Sequence, residues 1–313
     1  MMIKKNHIYS VFIIVFSILF HCTYCAYAEK TATVIKSQNL SAYNEVMKGF
    51  KAECIQNNIT IKSTYDLNGK MKIGHKIVRK IRKDKPDVIL TIGILATTIA
   101  KEELKDIPIV FCMVINHERF QLIGPNITGI ATEITIEKQL KGYQNILDSL
   151  QDIGVIYDPS KTGNIIKNAE SKIKDTGINL VKYEIKSSKM VSEALENLIS
   201  KIDALWLLPD STVVTKKSFG LIKSTAIENK IPLLCTSDVF VKAGALAAVF
   251  SDYKFVGRQA AQLAKEVLSL PSPGSLGIVN PDKFKLAINS NTAEELGLEL
   301  KAVRGEPHVI IFP

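Results

Sequence analysis

The sequence predicts an α/β protein of two lobes, each built around a parallel sheet, and three observations predict this fold. Short runs rich in valine and isoleucine recur along the chain, and amphipathic stretches lie between them. Strands that are buried on both faces read as continuous apolar runs, whereas the helices that cover them carry an apolar stripe with a 3.6-residue period. The rhythm occurs twice, with a change at Gln151 and Asp152.

The candidate strands and helices alternate in chain order. Nine apolar runs predict strands, at residues 32–36, 59–65, 88–92, 109–113, 153–157, 179–183, 204–208, 233–235 and 245–250. Amphipathic stretches predict helices between them, and the clearest are 43–57, 71–83, 136–150 and 164–176. Alternation of this kind is typical of parallel strands that are joined by covering helices.

The N-terminal segment has the features of a secretory signal. Lys4 and Lys5 precede an apolar run at residues 8–20, and Ala26-Tyr27-Ala28 supplies small residues for a cleavage site. We therefore expect residues 1–28 to be a cleaved signal peptide and the protein to be periplasmic or extracytoplasmic. An uncleaved membrane helix and a lipid anchor at Cys22 remain as alternatives that rank below cleavage.

Composition excludes several classes of function. The net charge is +9, but the lysines are spread among acids without a basic run beside aromatic residues, so we expect no nucleic-acid partner. The densest basic cluster, at residues 76–85, is interpreted as the polar face of one helix. Cys54, Cys112 and Cys235 are widely spaced, and the five histidines have no ligand-type spacing, so we expect no disulfide framework, no metal and no cofactor.

Loops after the strands carry the candidate binding residues. In open parallel sheets a ligand binds outside the carboxyl ends of the strands, and two facing lobes enclose a cleft there. Hydroxyls and free N–H groups at helix starts can hold a carboxylate, and Asp210 or Asp238 could hold an amine, although such residues are also favoured as helix caps. Tyr157 is the best aromatic candidate, whereas Trp206 is expected in the core. The candidate ligand-binding set is Ser37, Gln38, Gly93, Leu95, Ala96, Thr97, Asn116, Tyr157, Asp158, Asn164, Asp210, Ser211, Thr212, Ser237, Asp238 and Asp252.

Several short motifs, taken in their order, resemble one known family from about residue 31 to residue 300. They include Lys85-Pro86-Asp87-Val88-Ile89, Asn126-Ile127-Thr128-Gly129, Gly154-Val155-Ile156-Tyr157-Asp158-Pro159-Ser160, Asp203-Ala204-Leu205-Trp206-Leu207-Leu208-Pro209-Asp210 and Gly257-Arg258-Gln259-Ala260-Ala261. The chain resembles the ABC transporter substrate-binding proteins of the tryptophan- and tyrosine-associated type. The resemblance implies two Rossmann-like lobes of the type I periplasmic-binding fold, joined by three crossovers that form a hinge. It places residues 29–150 and 251–272 in lobe 1, and 151–250 and 273–313 in lobe 2.

The chain departs from the family at two turns. Relatives have a Gly-Thr-Pro-Ala type of turn where this chain has Gly93-Ile94-Leu95-Ala96, and often an Asp-Pro pair where this chain has Asn116-His117-Glu118-Arg119. The first departure leaves Thr97 or Thr98 to replace a missing hydroxyl. The identity of the ligand is therefore left open at this stage.

The resemblance implies a monomeric solute-binding protein that captures a small ligand, with an amino acid as the first candidate, and passes it to an ABC permease in the inner membrane. A sensory subunit that presents a ligand to a membrane receptor or kinase is the alternative from another class. An enzyme in the same cleft ranks below both, because no nucleophile elbow, phosphate-binding loop or dinucleotide motif follows a strand. The nearest approach to a catalytic pair is His117 with Glu118.

Overall fold

The computed structural model describes residues 29–147, 149–174, 176–299 and 305–313. Thr31–Pro313 form one compact unit. The predicted signal peptide and Cys22 lie outside the described residues. No helix in the described ranges is long and apolar enough to cross a membrane.

The described residues form strands β1 to β13 and helices α1 to α10. The strands are β1 (Lys30–Lys36), β2 (Ile59–Asp66), β3 (Val88–Ile92), β4 (Ile109–Cys112), β5 (Ile127–Ile130), β6 (Asp152–Tyr157), β7 (Asn179–Glu184), β8 (Ala204–Leu207), β9 (Leu233–Cys235), β10 (Ala247–Ser251), β11 (Ile278–Val279), β12 (Phe284–Asn289) and β13 (Val309–Phe312). The helices are α1 (Ser41–Gln56), α2 (Met71–Asp84), α3 (Ile94–Glu103), α4 (Ile136–Gln144), α5 (Pro159–Lys172), α6 (Val191–Leu198), α7 (Lys216–Glu228), α8 (Asp238–Lys242), α9 (Tyr253–Val267) and α10 (Ser290–Glu295).

The strands assemble into two sheets, and the predicted α/β fold with largely parallel sheets is confirmed. The first sheet has the order β11-β5-β4-β3-β1-β2, and the second has the order β13-β12-β10-β9-β8-β6-β7. The pairs β1–β3, β3–β4, β4–β5 and β6–β8 are parallel. The pair β10–β12 is antiparallel, because β12 enters the second sheet after the chain returns from the first.

Helices cover both faces of each sheet, which gives four apolar layers. In the first lobe, α1 and α9 pack on one face around Val46, Phe50 and Ala260, and α2 and α3 pack on the other around Val78 and Ile99. In the second lobe, α5 and α10 share one face with α4, and α6, α7 and α8 cover the other. Two-sided cover explains why the central strands are buried along their whole length.

Helix α4 lies with the second sheet, although residues 29–150 were expected in lobe 1. Ile136, Leu140 and Tyr143 pack in the same core as Ile153 and Val249. The Tyr143 hydroxyl donates a hydrogen bond to the Cys235 carbonyl at 2.6 Å. The apolar stripe of α4 therefore completes the second core, and the chain has already crossed between the lobes before this helix begins.

The chain passes between the sheets three times. It crosses after β5, again from β10 to α9, and finally from β11 to β12. Strand β11 pairs with β5, so residues 278–279 lie in the first sheet and not in the lobe that 273–313 was expected to join. Tyr253, at the second crossing, packs against apolar clusters of both lobes.

Candidate functional site

The turn that opens α3 lies against the end of β1 in the first lobe. Gly93 has a φ of +88°, and a Cβ here would lie 2.3 Å from the Tyr43 hydroxyl and 2.8 Å from Oγ of Ser37. The Ser37 hydroxyl accepts a hydrogen bond from the N–H of Ala96 at 3.0 Å. Glycine is therefore required both by the backbone conformation and by the space available. Burial raises the pKa of Tyr43 to about 12.

Other candidates of this turn face in different directions. The side chains of Ala96 and Thr97 are fully buried, while Gln38 is exposed. The Thr97 hydroxyl donates to the Gly93 carbonyl and lies 2.9 Å from the hydroxyl of Thr91, so it is committed to the interior of the lobe. What the turn offers a ligand is the N–H of Leu95, because the first turn of a helix leaves its N–H groups without intrahelical acceptors.

Asp210 joins the loops after β6 and β8. It is 1% exposed, and its carboxylate accepts hydrogen bonds from the N–H of Asp158 at 2.9 Å, the hydroxyl of Thr162 at 2.6 Å and the N–H of Thr212 at 2.9 Å. The N–H of Val213 adds a longer bond at 3.3 Å. These donors fill the acceptor sites of a carboxylate. Asp210 therefore holds the two loops together and has no free oxygen for the amine of a ligand.

Asp158 caps helix α5 and completes this network. Its carboxylate accepts hydrogen bonds from the hydroxyl of Thr212 at 2.7 Å and from the N–H and hydroxyl of Ser160. These bonds, led by the one from Thr212, lower the pKa of Asp158. Ser211 lies between the two aspartate loops and is exposed. The structure thus brings Asp158, Asp210 and Thr212 into one hydrogen-bond network, in which Asp158 caps α5 and Asp210 holds the two loops together.

Tyr157 lies in the second core and not on the cleft surface. Strand register places it opposite Glu184 of β7, and its hydroxyl donates to that carboxylate at 2.6 Å. Burial, followed by the bond to Glu184, raises the pKa of this hydroxyl. Its ring is therefore not available to stack on a ligand, contrary to the sequence-based expectation.

The loop after β9 meets the start of α9 near the second crossing. Ser237 caps α8, and Asp238 pairs with Lys242 at 2.6 Å and accepts a hydrogen bond from Tyr253 at 3.3 Å. Asp252 caps α9 through the N–H of Phe255 and also pairs with Lys285 at 3.4 Å. These two aspartates are thus engaged with residues that lie around a crossing between the lobes.

The loop after β4 contacts helix α5 of the other lobe. Asn116, whose φ is +51°, donates to the Lys161 carbonyl at 2.7 Å and exchanges hydrogen bonds with the Asn164 amide at 2.7 and 3.1 Å. The same Asn164 amide donates to Glu118 at 2.9 Å. We call these contacts the interlobe amide pair. They place two sequence-predicted residues from different lobes directly against each other.

A cavity of about 320 Å³ lies beside the interlobe amide pair. It is bounded by the loop after β4, the first crossing, α4, α5 and the ends of β8 and β9. Its polar lining includes Asn116, His117, Glu118, Glu133, Gln139, Asn164, Asn168, Lys172, Thr236 and Asn280. Its apolar lining includes Ala131, Ile134, Ile136, Ile165, Trp206, Leu208 and Pro209. Small-molecule sites have volumes of roughly 300 to 1,000 Å³, so the cavity is at the small end of that range.

Three polar atoms in the lining, Gln139 Oε1, His117 Nδ1 and Trp206 Nε1, have no hydrogen-bond partner among the described residues. Gln139 is 2% exposed, and its amide donates to the Ile134 carbonyl while its Oε1 is unpaired. His117 Nδ1 is also unpaired, and it lies 4.0 Å from the carboxylate of Glu133, which is too long for a hydrogen bond. Unpaired buried polar atoms are costly, so they mark where a ligand atom would be stabilised.

The lining carries more negative than positive charge, with three glutamates, Glu118, Glu133 and Glu137, and one lysine, Lys172. Glu133 accepts a short hydrogen bond from the N–H of Asn116. Burial raises the pKa of Glu133, while that bond and the nearby His117 lower it. At the rim, Lys172 is already paired with Glu137 at 3.1 Å. The acidic part of the lining is therefore suited to a cationic group on the ligand.

Of the sixteen predicted residues, Asn116 and Asn164 line this cavity. Sequence reasoning missed Glu133 and Gln139, which follow the first crossing and do not lie at the end of a strand. Trp206 is in the second core as predicted, with 2% of the residue exposed, and it also forms part of the cavity wall. No sequence signal marks Glu133 and Gln139, because the search for candidates was confined to the loops that follow strands.

The described residues contain no group of three or more His, Cys, Asp or Glu that could hold a metal ion. Cys54, Cys112 and Cys235 are free and buried, and burial raises the pKa of each thiol. Thiols in this state are poor nucleophiles and poor metal ligands.

Comparison with known proteins identifies the family. A family model described as ABC transporter substrate binding protein matches residues 31–303. A tyrosine-binding protein of Clostridioides difficile (strain R20291) is 30% identical over 237 residues, which cover 73% of this chain and 68% of that protein. An uncharacterized protein of Rickettsia prowazekii (strain Madrid E) is 26% identical over 298 residues, which cover 92% of each chain.

Solved structures share the fold. A ligand-free, open substrate-binding protein with adhesive properties from Clostridium difficile matches with a TM-score of 0.77 and 22% identity, over 90% of this chain and 99% of that chain. An ABC domain in complex with L-Trp from Streptococcus pneumonia matches with a TM-score of 0.66 and 18% identity, over 90% and 100% of the two chains. The two-sheet architecture is that of the type I periplasmic-binding fold, and the chain belongs to the ABC transporter substrate-binding protein family.

Proposed function

We propose that this protein captures a small amino acid-like solute in the cavity beside the interlobe amide pair and delivers it to an ABC permease. The observation that carries the proposal is the presence of three unpaired polar atoms, Gln139 Oε1, His117 Nδ1 and Trp206 Nε1, in the lining of a cavity of about 320 Å³. A ligand with its own hydrogen-bonding groups would satisfy these atoms. A monomer with no catalytic activity is sufficient for this role.

The lining supports a zwitterion with an apolar side chain. Glu118 and Glu133 offer carboxylates to an ammonium group, and the amide of Asn168 can donate to a carboxylate. Trp206 and the apolar residues around it offer a surface for an apolar or aromatic side chain. A relative that is named as a tyrosine-binding protein supports an aromatic amino acid as the first ligand to test.

Closure of the lobes would enclose the ligand. The cavity is lined from both lobes and from the first crossing, and three crossings of this kind permit hinge motion. Closure around a ligand would also create the surface to which a permease binds. In this scheme the interlobe amide pair lies at the edge of the moving interface.

The proposal is tested by thermal-shift and calorimetric measurements on residues 29–313 with each of the common amino acids. We expect one or a few ligands, aromatic ones first, to raise the melting temperature and to bind with one-to-one stoichiometry. Glu133→Gln should weaken binding at least about tenfold if it contacts the ligand ammonium. Glu196→Gln, an exposed acid on α6 far from the cavity in sequence and fold, is the matched control and should bind as the wild type does.

Two results would contradict the proposal. One is a broad screen in which no amino acid shifts the melting temperature. The other is a ligand that binds equally well to wild type and to Glu133→Gln. Recovery of the bound ligand in chemically altered form, measured by mass spectrometry, would instead support an enzyme.

A further inference from the structure

The surface of helix α2 carries a concentrated positive charge that ligand capture does not use. Residues 70–85 contain eight lysines and arginines and one aspartate, which gives 8 − 1 = +7 against a total of +9 for the whole chain. Five of these cations form one stripe along the exposed side of the helix. We call this set, Lys72, Lys76, Arg79, Lys80 and Lys83, the basic stripe.

Helical spacing places the basic stripe on one side of α2. Its members are separated by one, three and four residues, so they share a face. The opposite face, with Gly74, Ile77, Val78 and Ile81, is buried in the first lobe. Because α2 spans fourteen residues, the stripe extends for about 16 Å from Lys72 to Lys83 at 1.5 Å per residue.

Among the five stripe residues, only Lys83, in the last turn of α2, is favoured by the helix dipole. Lysines at spacings of three and four residues repel each other along a helix. Lys72 also lies in the first turn, which has no acidic residue and where the helix dipole disfavours a cation. In helix α1, which precedes α2 in the chain, Lys48 is by contrast paired with Glu45 at 2.6 Å.

The repulsion is not offset within the part of the chain that the structure describes. None of the five stripe residues has an ion pair there, and all five are exposed. The carboxylate of Glu103, the nearby acid, is hydrogen-bonded to the His75 ring, and the backbone carbonyl of Glu103 accepts a hydrogen bond from Arg82. The stripe is thus a row of free cations on the outer helix layer of lobe 1, and none of its members lines the ligand cavity.

From this pattern we infer that the basic stripe binds the anionic phospholipid headgroups of a bilayer. A straight row of lysines with one arginine suits a diffuse negative surface, since lysine acts as a point charge without a fixed bidentate geometry. The stripe has no aromatic side chain on which bases could stack, which argues against a nucleic acid. Because the apolar face of α2 is packed in the core, the contact is electrostatic and does not insert into the acyl chains.

The geometry of the fold makes this contact compatible with ligand capture. The stripe lies on the helix layer formed by α2 and α3, whereas the cavity is lined by the loop after β4, the first crossing and the second lobe. A protein resting on lipid through the stripe would keep the cavity unblocked. Surface retention of this kind would raise the local concentration of the protein at the membrane that holds its permease.

The test is co-sedimentation of residues 29–313 with vesicles of phosphatidylcholine alone or with about one third phosphatidylglycerol. We expect binding to the anionic vesicles only, and its loss as NaCl is raised from about 50 mM to about 300 mM. The variant Lys72→Gln/Lys76→Gln/Lys80→Gln/Lys83→Gln should bind at least about tenfold more weakly. Its circular dichroism and melting temperature should match the wild type, because the four side chains make no contact that the fold needs.

A matched variant separates the stripe from net charge. Lys174→Gln/Lys201→Gln/Lys216→Gln/Lys217→Gln removes four exposed lysines from the second lobe and should bind vesicles as the wild type does. Lysine acetylation of the wild type, read by mass spectrometry, should show protection of the stripe by anionic vesicles. Equal loss in both variants, binding to neutral vesicles, unprotected stripe lysines or equal competition by duplex DNA would each overturn the inference.

Discussion

Replacement of Asp210 by asparagine distinguishes a structural clamp from a ligand-binding acid. In the folded protein one carboxylate oxygen accepts from Asp158 and Thr162, and the other accepts from Thr212 and Val213. The amide of Asp210→Asn keeps one acceptor oxygen and replaces the other by an NH₂ group. One side of the clamp must therefore lose its acceptor.

The magnitude follows from the burial of the donors. If the NH₂ group turns towards β6, the Thr162 hydroxyl can rotate to accept from it, but the N–H of Asp158 then has no acceptor. A hydrogen bond to a charged group contributes about 1.5 to 3 kcal/mol, and a buried donor left unpaired costs about 1 to 3 kcal/mol. We expect Asp210→Asn to lower the free energy of unfolding by about 3 kcal/mol, which corresponds to a fall of about 6 to 12 °C in melting temperature.

Urea unfolding followed by circular dichroism measures this loss, and calorimetry measures ligand affinity on the same samples. Asp203→Asn is the matched control, since Asp203 accepts from two backbone N–H groups but lies at the exposed end of β6 and β8. Water can replace those bonds, so the control should lose less than about 1 kcal/mol. Unchanged stability of Asp210→Asn together with a large loss of ligand affinity would refute the clamp and restore Asp210 as a ligand contact.

Three further predictions concern the cleft. Gly93→Ala should destabilise the protein by about 1 to 3 kcal/mol, because the new Cβ would clash with Tyr43 and the φ of residue 93 is positive. Urea unfolding measures this loss, and the Gly93→Ala/Tyr43→Phe double variant should recover only part of it. Full recovery of stability in the double variant would contradict the argument from φ. Burial raises the pKa of Glu133, so its carboxylate is protonated more readily in the folded state than in the unfolded chain, and affinity for a cationic ligand should fall as the pH decreases towards that pKa. Calorimetry from pH 8 to 5 should show that affinity depends less on pH in Glu133→Gln than in the wild type. The same pH dependence in both proteins would count against Glu133 as the contact for the ligand ammonium. Asn164→Ala removes the interlobe amide pair and should increase the radius of gyration of the ligand-free protein in small-angle scattering. Asn197→Ala, on the surface of α6, is the control and should leave the radius of gyration unchanged. An unchanged radius for Asn164→Ala would show that the interlobe amide pair does not hold the lobes together.

Local signals in the sequence were sufficient for the alternation of strands and helices. Continuous apolar runs predict the buried strands β3, β4 and β8, and the structure confirms their positions. Capping was the alternative that the sequence offered for Asp158, and the structure shows that this residue caps α5, because a cap depends on residues within one turn. Strands β5, β11, β12 and β13 were not among the predicted runs. Strand β11 has two residues, and Thr128 and Gly129 interrupt β5, so neither gives a continuous apolar run.

The site depended on contacts between distant parts of the chain. Tyr157 was predicted as a ligand contact from its place at a strand end, but the register with β7 brings Glu184 to its hydroxyl. The prediction that Trp206 is a core residue is confirmed, but only the packing of α4 and the first crossing shows that a cavity also lies against this side chain. Both side chains lie on strands of the same sheet, and their roles are set by which neighbour covers them.

The amino-acid sequence by itself determined that this is an α/β chain of two lobes with the family motifs of substrate-binding proteins. These features follow from hydrophobic periodicity and from short motifs, which are local properties of the chain. Only the tertiary structure decided which lobe α4 joins, that Asp210 is a clamp, and that Asn116 of one lobe meets Asn164 of the other. Those outcomes arise from strand register and interlobe packing between residues far apart in the chain, so no local pattern could specify them.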